Sequence, residues 1–135
     1  MTIKRGRLLA WACLLLAVAG CGRDTPESLI REQTAAMEEI CTVLDSIKDD
    51  ATAEAAMPRL EKACQRARRA HERAAAARHT LTSADPMPDK ATIQALVQVT
   101  MRMVTSALRA QSVAPQHAAK IADLVNHSGL EQPER

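Results

Sequence analysis

Histidines, methionines and cysteines carry most of the metal and nucleophile chemistry this chain could do. The histidines are His71, His79, His117 and His127, and Met101-Arg102-Met103 places two thioethers close together. Soft thioethers with imidazole suit copper, and imidazole alone suits zinc, so His71, His117, His127 and Met101 form a candidate metal set. Their spacing argues against convergence. His71 and His79 are eight residues apart and His117 and His127 ten, whereas ligand pairs on one helix stand a single turn apart. Met101 and Met103 point about 200° apart on a helix. No Cys-x-x-Cys, His-Glu-x-x-His or Glu-x-x-His run is present, so the motifs of zinc, haem and di-iron sites are missing. The ordinary roles are core filling for the methionines and solvated or capping surface for the histidines. No serine sits in Gly-x-Ser-x-Gly or Ser-x-x-Lys, and the neighbours His127 and Ser128 point their side chains apart. The expectation is a protein without catalysis and without a resident cofactor, with copper or zinc binding as the alternative.

The elements that would hold these residues are helices. Alanine dominates, β-branched residues are thinly spread, and no stretch alternates with period two. Trp11 is the single Trp, Tyr and Phe are absent, and only Gly22 and Gly129 follow residue 20. That removes stacking platforms for bases, sugars or haem and any glycine-rich phosphate loop. A first helix is expected from about Thr25 to Lys48, with Thr25 as N-cap and Pro26 in its first turn. Its apolar stripe is Ile30, Met37, Ile40/Cys41, Leu44 and Ile47. Thr52 reads as the next N-cap, opening a second helix from about Ala53 to His79 that buries Met57, Leu60, Cys64, Ala67, His71 and Ala74. Pro58 predicts a kink or a separate short turn there. Residues 83–89 form a breaker with two prolines. A third helix follows from about Asp89 to Gln111, with Ile93, Leu96/Val97, Thr100, Val104 and Ala107/Leu108 on its buried face. A fourth runs from near Ala114-Pro115, buries Ala118, Ile121 and Leu124/Val125, and ends at Gly129. The fold class is all-α, a small antiparallel bundle of three to four helices.

The first 20 residues have a separate logic. Lys4, Arg5 and Arg7 precede an uncharged apolar run from Leu8 to Ala19. That is a basic n-region and a short h-region, too short for a lasting span that needs about 20 residues. Val18-Ala19-Gly20-Cys21 resembles the lipobox of bacterial lipoproteins: an aliphatic residue, two small ones, then the cysteine. The resemblance implies lipidation of Cys21, removal of residues 1–20, and acylation of the new amino terminus. The domains are then the signal at 1–20, the lipidated cysteine and a short tether at 21–24, the bundle at 25–129 and a polar tail at 130–135. It further implies a periplasmic face of the cell envelope, with Gly22 rather than Asp after the cysteine favouring the outer membrane. Removing 20 of 135 residues leaves 115, one small domain, and losing three cations takes the formal charge from +2 to −1. Nucleic acid is therefore not an expected partner.

Cys41 and Cys64 remain, and a single pair in an oxidising compartment reads as a disulfide. In an antiparallel hairpin, facing residues have a constant index sum. Ile47 with Met57, Leu44 with Leu60 and Met37 with Ala67 all give 104, and Cys41 with Cys64 gives 105. The expectation is a first hairpin stapled by Cys41–Cys64, closing a loop worth about 3 kcal/mol in the chain-entropy model. Acidic residues crowd the first helix and basic ones the second, which suits complementary flanks or, alternatively, a basic face on anionic headgroups or cell-wall polymer. Met37-Glu38-Glu39-Ile40, Val43-Leu44, Ile47-Lys48-Asp49 and Ala56-Met57-Pro58-Arg59-Leu60 resemble a pattern in small uncharacterised helical lipoproteins and secreted proteins of planctomycete-type bacteria. That resemblance covers about a fifth of the chain and implies no activity. The expected role is a membrane-anchored structural or protein-interaction module of the envelope. Its partners would be the membrane through Cys21 and a second copy or another envelope protein, an inhibitor or chaperone role included.

Overall fold

The computed structural model describes residues 24–129 as four helices packed together, with no strand among them. The signal, Cys21 and the tail at 130–135 lie outside the described residues. Helix α1 (Pro26–Ser46) starts with the expected cap. The Thr25 hydroxyl accepts from the Ser28 N–H at 3.1 Å, and the Ser28 hydroxyl accepts from the Thr25 N–H at 3.0 Å. Helix α2 (Asp50–Ala77) starts three residues earlier than its apolar spacing predicts. Asp49 is the cap, accepting the Thr52 N–H at 2.8 Å while the Thr52 hydroxyl accepts the Asp49 N–H at 3.0 Å. Thr52 thus belongs to the capping box as its third helical residue. The helix continues through Pro58 without a break, on its exposed side, where water can replace the missing N–H donor.

Helix α3 (Lys90–Val113) is capped by Asp89, whose carboxylate accepts the Thr92 N–H at 2.6 Å. Helix α4 (Ala118–Asn126) is shorter than expected, because residues 114–117 form a turn into it. That turn is held from α2: Asp50 Oδ1 accepts the Gln116 N–H at 3.0 Å and lies 3.4 Å from His117 Nδ1. Beyond α4, Gly129 has φ +115°, and a Cβ there would sit 3.0 Å from His71 Cβ and Cγ. Both the backbone sign and the close approach require glycine.

The helices alternate in direction. Glu39 with Arg66 and Glu32 with Arg73 share the index sum 105, and Gln33 with His71 gives 104, so α1 and α2 are antiparallel in the expected register. These contacts also realise the acidic-to-basic complementarity of the two flanks. Between α1 and α3 it is the index difference that stays nearly constant: Met37 meets Thr100, Asp45 meets Ser106, and the Ile47 carbonyl meets Arg109. Those two helices run parallel. Helix α1 therefore lies between α2 and α3, and α4 packs on both α2 and α3, its neighbours on α2 running from Asp50 through Glu61 to His71.

Ile40, Cys41, Leu44, Ile47, Leu60, Met103 and Ile121 are the largest fully enclosed side chains. The α2 side of the core adds Met57 and Cys64 and is for the rest alanine (Ala53, Ala56, Ala63, Ala67 and Ala70), which lets the helices approach closely. Ile30, placed on the core stripe by its spacing, is only half-buried, and Leu29 takes the buried position instead.

The staple is not formed: Cys41 and Cys64 are both free, buried thiols. The reason lies in the double contact of α1. The Cys41 thiol turns to α3 and points at the Val99 carbonyl, 3.9 Å away, rather than across to α2. Burial pushes the Cys64 thiol up to about 12. Burial also raises the Cys41 thiol, with Arg102 partly opposing it. Neither is a nucleophile at neutral pH. In the folded full chain both resist alkylation, and both react once denaturant unfolds the chain without reductant. A Cys41–Cys64 linked peptide in an unreduced digest would restore the staple.

Candidate functional site

The residues weighed for metal binding each have a polar partner of their own or lie exposed. His71 Nδ1 is 3.3 Å from Gln33 Nε2 on α1. His117 precedes α4 beside Asp50, and His127 follows α4 with Nδ1 2.8 Å from the Asp123 carbonyl. The two therefore sit at opposite ends of one helix. His79 is exposed past the end of α2, and Met101 is 66 % exposed on α3. Among the described residues no group of three His, Cys, Asp or Glu is placed to hold a metal ion. His71 lies against Gly129, two residues beyond His127, but His117 is at the other end of α4, so the set His71, His117, His127 and Met101 does not form one site. Ser128 is buried with its hydroxyl donating to the Val125 carbonyl at 2.6 Å, so it and His127 have separate local partners. A shallow groove of about 300 Å³ lies between the starts of α1 and α3, with Arg31, Glu38 and Asp89 among its lining. Asp89 is spent there on capping, and hydrogen bonds from Thr92 hold its carboxyl below the ordinary range.

The feature that stands out is on α3, and it inverts an expectation. Ile93, Val97, Val104 and Leu108, read as buried, are exposed, and with Met101 they are between 43 % and 66 % accessible. At 100° per residue these five fall within about 80° of arc along roughly 22 Å of helix. The face packed in the core carries Thr92, Val99, Met103, Ser106, Ala107 and Ala110 instead. Helix α3 has two apolar stripes, and polar contacts select which one is buried. Asp45 on α1 accepts from Arg102 and from the Ser106 hydroxyl, each at 2.7 Å. The Arg109 guanidinium donates to the Leu44 carbonyl at 2.8 Å and the Ile47 carbonyl at 3.1 Å. Arg102, Ser106 and Arg109 share one side of α3, so satisfying them fixes its rotation and turns the second stripe outward. Met101 was a ligand candidate by type; its place in the 93, 97, 101, 104, 108 series was the signal for a second face.

Hydrogen bonds from Arg102 and Ser106 hold the Asp45 carboxyl below the ordinary carboxylate range. A depressed folded-state pKa adds stability that is complete above the unfolded value of about 4. That contribution disappears as pH falls through the lower folded value. Asp45→Asn should therefore destabilise the protein at neutral pH by about 1 kcal/mol, allowing for solvent screening of a half-exposed carboxylate. The difference from the parent should shrink below about pH 4 in denaturant melts. Val97→Gln and Val104→Gln should each change stability by under about 0.5 kcal/mol, whereas Met103→Ala should cost about 2–4 kcal/mol. The reverse pattern would mean that α3 is rotated.

None of the described helices is long and apolar enough to cross a membrane. No family model, curated protein or solved structure matches the chain.

Proposed function

We propose that this chain is a lipid-anchored module of the bacterial cell envelope that works by binding through the open face of α3, without catalysis. The observation carrying the binding role is that face: five apolar side chains in one stripe, held outward by the Asp45 contacts on the opposite side of the helix. A soluble monomer rarely exposes so continuous an apolar strip without using it. The anchoring half rests on the sequence, the basic n-region and Val18-Ala19-Gly20-Cys21. Arg73 holds Asp24, three residues after Cys21, to the bundle at 2.6 Å. Extended chain covers about 3.3–3.6 Å per residue, so an anchor on Cys21 would hold the bundle within roughly 10 Å of the membrane surface.

The test is the full chain in a bacterial host fed labelled palmitate. The parent should take up label and sediment with membranes, and Cys21→Ser should do neither. An unlabelled, freely soluble parent would overturn the anchored reading. A photo-crosslinking residue at Val97 should yield adducts that the same residue at Arg69, on α2, does not. Equal or absent adducts at the two positions would remove the binding role from α3.

A further inference from the structure

The bare stripe on α3 reads almost the same in both directions. Its steps are four, four, three and four residues, from Ile93 through Val97, Met101 and Val104 to Leu108. Run against itself, the stripe matches Ile93 with Leu108 and Val97 with Val104, each pair at index sum 201, and brings Met101 to Met101 at 202. A helix face with that symmetry is self-complementary about a two-fold axis near its midpoint, the requirement for an isologous dimer. We infer that the partner of this face is a second copy of the chain, with the two α3 helices packed antiparallel about Met101. The inference rests on the reading of α3 as the binding face and names its occupant.

Charge agrees. Helix α3 has no acidic residue, and its cations are Lys90, Arg102 and Arg109. Arg102 and Arg109 are turned away to Asp45 and the α1 carbonyls. Lys90 in this register faces Gln111 of the second copy. The polar rim beside the stripe is neutral (Gln94, Gln98, Thr105 and Ser112), so two copies meet without like charges opposed. The same neutrality disfavours a lipid surface, since interfacial helices flank their apolar face with Lys or Arg and commonly carry aromatic anchors, and residues 24–129 contain no Phe, Tyr or Trp.

Area agrees as well. The five stripe residues and Met87, which is 83 % exposed just ahead of the helix, are the large hydrophobic side chains left open among the described residues. The five stripe residues alone present roughly 450–550 Å² per copy, and the neutral rim carries this toward the about 800 Å² per partner of a standard interface.

The test is cysteine cross-linking of full-length chains in the expressing cells, with two tags distinguishing the copies. A disulfide needs Cα atoms within about 7 Å. Val97→Cys on one copy with Val104→Cys on the other should give mixed-tag disulfide dimers about tenfold above the parent's background, as should Ile93→Cys with Leu108→Cys. Val97→Cys on both copies should stay near background, because antiparallel register separates those positions by about 10 Å along the axis. These sites are exposed, so the variants should melt like the parent. A dominant Val97–Val97 link would overturn the antiparallel register, and background levels in every pair would overturn the second copy. So would Met101→Cys that a water-soluble maleimide labels freely until vesicles of phosphatidylethanolamine and phosphatidylglycerol are added, which assigns the face to lipid. Loss of self-pairing with Cys21-dependent anchoring and Val97 adducts retained would remove this partner and leave the binding role.

Discussion

The last turn of α1 ends in carbonyls that local donors cover only in part, the Ile47 N–H on Leu44 and the Ser46 hydroxyl on Val43. That turn has no basic residue to offset the negative end of the helix dipole. Arg109 from α3 supplies the missing cation, donating to the Leu44 and Ile47 carbonyls, while neighbouring Asp45 takes Arg102 and Ser106. This exchange between a helix end and a helix side fixes the height of α3 along α1 and its rotation. The parallel register, the Cys41 contact with Val99 and the outward turn of the second stripe all follow from it.

A core so poor in large side chains makes such polar fixing necessary. The α2 surface offers mostly alanine, which permits close approach but makes few specific interlocks. Ile40, Leu44, Ile47 and Leu60 concentrate the packing at the α1–α2 seam near the hairpin turn, and Met103 and Ile121 extend it toward α3 and α4. Where apolar shape specifies little, the Asp49 and Thr25 capping boxes, the Asp50 contacts to the α4 turn and the Asp45 cluster specify the rest.

The four helices, the Thr25 cap and the α1–α2 register were legible in the sequence because each depends on local or pairwise spacing. The near-constant index sum carries over to Glu39 opposite Arg66 and Glu32 opposite Arg73. The same sum suggested a disulfide and failed there, because it gives height along the axis but not azimuth. Ile40 and Cys41 are neighbours in sequence and 100° apart around α1, so they can serve different helices. The buried face of α3 was illegible for a related reason. Both of its stripes have helical period, and the choice between them lies in Asp45 and two carbonyls over 50 residues away. The early start of α2 was written in Asp49-Asp50-Ala51-Thr52, where reciprocal capping competes with Thr52 as the cap.

The parallel run of α1 and α3 also sets how the domain bears load. Tension arriving from the chain before Asp24 enters at the end where α1 and α3 both begin, and Arg73 passes part of it to α2 through Asp24 and Glu32. If that tension is taken out through α3, the α1–α3 seam is strained along its length. Contacts from Thr100 to Arg109 then resist together in shear instead of peeling one after another. A pull separating α1 from α2 at that same open end of the hairpin would meet Arg73 first and could unzip the helices turn by turn. The domain is therefore mechanically anisotropic, stiff along the path from its amino terminus to the face of α3 and weak across the hairpin.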